Sequence, residues 1–382
     1  MQLKPPFPWF GGKSQVADLV WSRLGDIDLY IEPFFGGGAV LLNRPNPHGM
    51  EIVNDIDGYL TNAWRAIQKD PDAVAEYVDW PVNEADLIAR HIWLVQNPPD
   101  VERLMGDPDY YDAQKAGWWI WGLCCWIGGD WCSGKGPWTS VDGRLVRGSG
   151  VQQRRPDISG RGVMRQELHG IPVKRPSYNE CCVLRSTLHG VSIRRPHVTH
   201  TGNGVIAIGA RQRHMTNEQG IIATDSLPFE GQCQRSREAL IRYMRLLSDR
   251  LRHVKICCGD WKRVLSDAIL MSGKKVGIFL DPPYDPQVRS KGCYNHEEPS
   301  VSAEVRQWCL EHGDDPRFRI ALCGYEGEHE MPETWEKVAW TARRCMSRRH
   351  KTQNSDNRFK ERTWFGPHCI RMETPVLFEE VA

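Results

Sequence analysis

Residues 276–284 read Val276-Gly277-Ile278-Phe279-Leu280-Asp281-Pro282-Pro283-Tyr284. Five residues without a charge in succession predict a strand covered on both faces, as in a parallel sheet. The prolines then stop it, because neither has an N–H to give to a neighbouring strand. The chain must leave the sheet in a stiff, extended turn. That sets an acid and an aromatic ring at the carboxyl edge of a sheet, where open α/β folds place their ligands. Asp281 brings acceptor oxygens, Pro282 a carbonyl outside the ladder, and Tyr284 a flat face. Together they suit a planar amino group, such as the exocyclic amine of a nucleobase. The plainer alternative is a strand, a tight turn and a tyrosine packed beneath it.

Upstream, Asp28-Leu29-Tyr30-Ile31-Glu32-Pro33-Phe34-Phe35-Gly36-Gly37-Gly38-Ala39 predicts strand, glycine turn and helix. The glycines permit close approach of a ligand to the helix N-terminus. Glu32 at the strand end would repel a pyrophosphate and favour a group that is positive or donates hydrogen bonds. A second strand, Met50 to Asp55, ends in an acid 17 residues after Gly38. That is close to the ~20-residue spacing at which such folds set an acid on ribose hydroxyls. Asp55 as N-cap of a helix over 56–69 is the structural alternative. Before these lies Trp9-Phe10-Gly11-Gly12-Lys13, whose lysine could meet a carboxylate. Equally, it could be a loop before a helix starting near Ser14.

The 382 residues are enough for a large α/β domain and a second module. No apolar run reaches the length of a membrane span, so no membrane association is expected. The opening residues show no signal-peptide core, which predicts a protein that is not secreted. Thirteen cysteines without a C-x-x-C spacing predict no metal site and a reducing cytoplasm. Net charge is only +1, yet residues 131–220 hold fourteen Lys and Arg against five Asp and Glu. A basic segment on an acidic body points to a polyanion partner.

From about residue 70 the strand–helix rhythm lapses. A helical stretch over 73–95 is broken at Pro81. Four of the 16 tryptophans fall within residues 118–127, which predicts the core of a small subdomain or an aromatic platform for bases. Residues 128–138 read as loop. Arg154-Arg155-Pro156, Lys174-Arg175-Pro176 and Arg194-Arg195-Pro196 then recur with a period of 20. They predict loops or short hairpins presenting cations to phosphates and grooves, or else a solvated basic insert. The alternation resumes with a helix over 236–252 and a strand over 253–258. A helix over 261–271, the strand ending at Asp281, a helix over 301–312 and a strand over 318–323 follow. The tail predicts closing antiparallel strands around 363–365 and 369–371.

Trp9 to Lys13, Glu32-Pro33-Phe34 with its glycines, Asn54-Asp55, Gly259-Asp260-Trp261 and Asp281 to Tyr284 occur in one order. That combination resembles the Dam-like family of adenine-specific DNA methyltransferases, over roughly residues 5–65 and 250–290. The resemblance implies a Rossmann-like α/β fold, with a mostly parallel seven-stranded sheet. The catalytic domain would be residues 1–65 and 246–382. Residues 66–245 would be an inserted target-recognition region, similar to the Trp-rich, Arg-Pro-rich versions of phage and prophage enzymes. It also implies S-adenosylmethionine as cofactor and double-stranded DNA as partner. Trp9, Lys13, Glu32, Gly36, Asp55, Asp260 and Asp281 match the family's cofactor positions. Asp281, the Pro282 carbonyl and Tyr284 match its target-adenine pocket.

These groups suggest the chemistry. The amino lone pair of adenine is delocalised into the ring, and acceptors on both N–H groups localise it. The amine can then attack a methyl group in line, on a base turned out of the duplex against Tyr284. No Pro-Cys dipeptide is present, so the cysteine chemistry of carbon-5 cytosine methylation is not expected. Methylation of a cytosine amino group, of RNA or of a protein amide would use a similar pocket. A DNA-binding protein without turnover would keep only the fold. A dehydrogenase is disfavoured by Glu32 and the double proline.

Overall fold

The computed structural model of the chain describes residues 3–9, 11–126, 131–132, 138–141, 144–147, 229–284, 301–342 and 359–371. It divides into two compact units: one of residues 1–3, 10–56 and 253–382, the other of 4–9 and 57–252. This division falls after Ile56 and before His253.

The first unit is built on a seven-stranded sheet. Its strands are β1 (Leu29–Glu32), β2 (Met50–Asp55), β5 (Val254–Cys258), β6 (Val276–Leu280), β7 (Phe318–Tyr325), β8 (Glu336–Ala339) and β9 (Glu361–Phe365). Their spatial order is β5-β2-β1-β6-β7-β9-β8. The first five run parallel, β9 is antiparallel to β7, and β8 is antiparallel to β9. The sheet is thus mixed and mostly parallel, the α/β architecture expected of a Rossmann-like methyltransferase. Every residue of β6 is buried, as a central strand covered on both faces requires.

One face buries Ile31, Ile52, Ile278, Leu280, Ile320 and Leu322 against a 3-10 turn (Trp261–Leu265) and the helix Val301–His312. Burying each such side chain contributes about 1.5–3 kcal/mol. Elsewhere in this unit, helix α1 (Ala17–Leu24) and the short α2 (Ala39–Leu42) are held together where the Trp21 indole donates to the Val40 carbonyl at 2.8 Å.

Several local readings are corrected. Helix α1 starts at Ala17, not Ser14, because the Val16 amide bonds the Lys13 carbonyl in a turn first. Helix α3 (Gly58–Lys69) is capped by Asp57, whose carboxylate accepts from the amides of Tyr59 and Leu60. Asp55 is thereby released from capping. Residues 261–271 are not one helix. Ser266 is extended, and separates the 3-10 turn from a single helical turn at Asp267–Leu270. Residues 369–371 form no strand, since the Cys369 amide closes a turn on Gly366 and the Ile370 amide bonds Arg23. Strand β8 lacked a clear alternating pattern and went unread.

The second unit contains α3, α4 (Pro71–Val78), α5 (Glu84–Gln96), α6 (Val101–Gly106), α7 (Ala113–Cys125) and α8 (Phe229–Leu251). A hairpin of β3 (Trp138–Val141) and β4 (Arg144–Arg147) precedes residues 148–228, which lie outside the described residues. The tryptophan-rich stretch is α7, with Trp119 and Trp121 buried and Trp118 set edge-on against Trp93. Its indoles are used for packing. The buried face of α8 carries Leu240, Tyr243, Met244, Leu247 and Leu251. Among the described residues no helix is long and apolar enough to cross a membrane, and no group of three His, Cys, Asp or Glu is arranged to hold a metal ion.

Helix α7 lies so close to α4 that a Cβ on Gly117 would come within 2.2 Å of the Tyr77 Cβ and 3.0 Å of the Val74 carbonyl oxygen. Backbone cannot yield as a long side chain can. Gly117→Ala should therefore destabilise by roughly 1–3 kcal/mol through overpacking, against a propensity gain of about 1 kcal/mol. Urea unfolding of the two proteins measures the balance. A stabilised variant would show that α4 and α7 can move apart freely.

Candidate active site

The carboxyl edge of the parallel strands is a row of acids. Strand β1 ends at Glu32, β2 at Asp55, β5 runs into Gly259-Asp260, and β6 into Asp281. The strand order reverses between β1 and β6, so the crevice of an open α/β sheet opens between Glu32 and Asp281.

Lys13 meets this edge. Its Nζ lies 2.8 Å from Asp281 Oδ2 and also donates to the Gly11 carbonyl at 3.0 Å. The two side chains are 5% and 17% exposed. Asp281 Oδ1 is buried and accepts no hydrogen bond. One oxygen of the carboxylate is thus fixed and the other is left open for a donor. Burial pushes the Asp281 carboxyl above the usual range, opposed by the Lys13 cation and by the Tyr284 hydroxyl. The ion pair opposes protonation of Asp281 at this position.

Pro282 and Tyr284 are both buried beyond it. The Tyr284 hydroxyl donates to Glu361 Oε2 at 2.9 Å, and its ring stands edge-on to Tyr325, with centroids 4.6 Å apart. Lys13 Nζ sits 5.2 Å from the Tyr284 ring centre and 5.8 Å from that of Trp340. Glu361, Tyr325 and Trp340 were not singled out from the sequence. Their only signal was membership of the late antiparallel strands and the ends beside them.

The glycine turn is tied to the next strand. The Gly36 amide donates to Asp55 Oδ2 at 2.9 Å, and Gly36 and Gly38 take positive φ of 49° and 64°. Asn54 donates to the Pro33 carbonyl at 3.1 Å and to the Gly259 carbonyl at 2.9 Å, joining the ends of β1 and β5 across β2. Asp260 caps the following turn by accepting from the Lys262 amide. Lys13, Glu32, Gly36, Asp55, Asp260, Asp281, Pro282 and Tyr284 thus all belong to the first unit. Trp9 belongs to the second, where it packs against Phe7 and Trp119. Arg154, Arg155, Lys174, Arg175, Arg194 and Arg195 lie outside the described residues.

Glu32 lies within the structure rather than at its surface. It is 2% exposed, and its Oε2 accepts from the Tyr30 hydroxyl at 2.9 Å. Burial raises its pKa well above the usual range, Tyr30 and the Leu41 amide work against that, and the charges of Asp281 and Asp55 add to the rise. Stability from such a group is full below the unfolded pKa and is lost as pH rises through the folded one. Glu32→Gln has no such proton to lose. The stability difference should therefore move in favour of Glu32→Gln as pH climbs from about 4, the unfolded glutamate range, towards 8. Tm measured against pH for both proteins reads this out; a constant difference would mean that Glu32 is not buried as a carboxyl.

Part of this chain is similar to known proteins. Residues 9–90 match the family model described as D12 class N6 adenine-specific DNA methyltransferase. The chain is 34% identical over 84 residues to a type II methyltransferase, M.MjaIII, of Methanocaldococcus jannaschii, covering 20% of this chain and 29% of that protein. It is 28% identical over 102 residues to the DNA N-6-adenine-methyltransferase of Escherichia phage P1, covering 25% of this chain and 13% of that protein. The chain therefore spans less than a third of the length of either relative. Lys13, Glu32, Gly36 and Asp55 fall inside the family match, and Asp260, Asp281 and Tyr284 beyond it. Over residues 9–90, this chain matches the D12 class N6 adenine-specific DNA methyltransferases.

Proposed function

We propose that this protein is a site-specific DNA methyltransferase that moves a methyl group onto the exocyclic amino group of adenine. One observation carries the reading: the buried, unpartnered Oδ1 of Asp281 at the strand-order switch. A buried acceptor without a donor costs about 1–3 kcal/mol, so the position asks for an N–H from outside. The match over residues 9–90 supplies the class of reaction.

The crevice fits S-adenosylmethionine, which supplies the electrophilic methyl group when bound. Two glycines at positive φ leave the turn after β1 without side chains, and acids end the strands on either side. Lys13, Gly36, Asp55 and Asp260 would hold it, with Glu32 acting from beneath. Trp9 is proposed here on the resemblance alone.

Asp281 acts on the base. Its free oxygen accepts one amino hydrogen while the Pro282 carbonyl takes the other, and the nitrogen lone pair sharpens. Its charge balances the cation that forms on nitrogen as the new bond closes. Lys13 keeps Asp281 ionised and aimed. Tyr284 provides the ring against which the extruded base stacks. The unit of residues 57–252 is the proposed target-recognition part, its cations meeting double-stranded DNA.

Two experiments test this. Asp281→Asn keeps the shape and loses the charge. It should cut methyl transfer to DNA by on the order of 10²-fold or more, read by mass spectrometry of N6-methyladenine in digested product. A folded Asp281→Asn protein with near-parental turnover sinks the reading. Paired alanine replacements at Arg154/Arg155, Lys174/Arg175 and Arg194/Arg195 address recognition. Each lost phosphate contact should lower the salt dependence of binding by about 1 in slope. A lost base contact should instead cost ~1–3 kcal/mol and relax one position of the target. If all three pairs bind and modify DNA as the parent does, those residues are not the reading surface.

A further inference from the structure

We propose that Glu361, the first residue of β9, is a positioning residue for the transfer. Its carboxylate holds the Tyr284 hydroxyl and so sets the attitude of the ring that meets the target base. The inference rests on the function proposed above and adds a residue outside the stretch that matches the family.

The geometry fixes the ring from three sides. Glu361 and Tyr325 are direct partners across the antiparallel β7–β9 pair. Glu361 takes the hydroxyl at 2.9 Å, Tyr325 meets the ring edge-on at 68°, and the Lys13 ammonium lies 5.2 Å from its centre. Tyr284 and Glu361 are only 5% and 6% exposed. A ring held at its tip, edge and face has little freedom about χ1 or χ2 to lose when a base arrives, so ordering it costs little at that step. The same Lys13 holds Asp281 at 2.8 Å, which ties the ring's position to that of the acid.

Packing alone does not call for a carboxylate here. A tyrosine hydroxyl could be satisfied by a backbone carbonyl or a neutral amide at lower cost. Burial instead pushes the Glu361 carboxyl above its usual range, with the nearby Asp281 charge adding to the rise and Lys13 opposing it. A carboxyl perturbed in this way beside a crevice, with its oxygen on the Tyr284 hydroxyl, marks a candidate functional position.

The test is a double-mutant cycle on the full chain, with steady-state methyl transfer to DNA and calorimetric affinity for S-adenosylhomocysteine. Glu361→Ala and Tyr284→Phe should each lower kcat, by about tenfold, with cofactor-product affinity unchanged. Glu361→Gln keeps an acceptor for the hydroxyl and should recover most of the rate. The double variant should be no worse than Tyr284→Phe alone, because Glu361 acts through the hydroxyl that Tyr284→Phe removes. Losses that multiply would overturn the proposal, as would a folded Glu361→Ala protein within about twofold of the parent. Should Glu361→Ala fail to fold, Tyr284→Phe decides alone: it removes the hydroxyl and keeps the ring, and an unchanged rate overturns the proposal. A parent that transfers no methyl group to DNA removes the function reading and this proposal together, whereas an active parent with indifferent variants removes only this one.

Discussion

The buried ion pair between Lys13 and Asp281 is the constraint on which the edge of the sheet depends. A carboxylate at the end of a fully covered strand would ordinarily take up a proton. The ammonium at 2.8 Å opposes that, and it does so through one oxygen only. The loop carrying Lys13 and the strand carrying Asp281 are 268 positions apart in the sequence. The pair therefore forms only once β6 is seated between β1 and β7 and the turn before α1 has closed. Activity on this reading is linked to completion of the central sheet.

A good part of this was legible in the chain. Strand β6 and the Val301–His312 helix have the bounds read for them, and for β6 the reason is an uncharged run stopped by prolines, a strong local signal. Other boundaries moved where two residues competed for one task. Asp55 and Asp57 both suit a helix N-cap; Asp57 takes it, while Asp55 turns back to the Gly36 amide. Spacing alone carries no information about which way a carboxylate turns. Glu361 and Tyr325 were beyond reach for a related reason. Their meeting with Tyr284 depends on the register of two antiparallel strands, and register is set by tertiary packing rather than by any local motif.

The acids of the site are not equivalent, although all stand at strand ends or beside them. Asp260 is exposed and spends an oxygen on a cap, and Asp55 spends one on the glycine turn. Both hold backbone in place. Glu32 and Glu361 are instead buried and Asp281 is half-buried, all three with pKa values pushed upward by desolvation. Three such groups around one crevice lower the stability of the fold at neutral pH, and only Asp281 has an ammonium at contact distance to offset this. The arrangement sets acids in a water-poor pocket at a cost to stability, with Lys13 opposing protonation of Asp281. An ionised Asp281 there favours a cationic ligand, and favours a nitrogen that becomes positive as it reacts.

That same charge works against the proposed substrate. An ionised carboxylate repels a phosphate backbone, so binding and chemistry cannot both rest on the residues of the sheet edge. The charge distribution along the chain answers this. Fourteen Lys and Arg against five Asp and Glu lie in residues 131–220, inside the second unit, while the chain as a whole is almost neutral. Affinity for DNA is a sum over cations and is lost as salt rises. The methyl transfer step depends on short-range contacts in a dry site, which salt screens far less. On the proposed function the two properties should separate: rising ionic strength should raise KM for DNA steeply and leave kcat at saturating DNA nearly level. A kcat that falls in parallel with affinity would show that the basic segment also shapes the catalytic pocket.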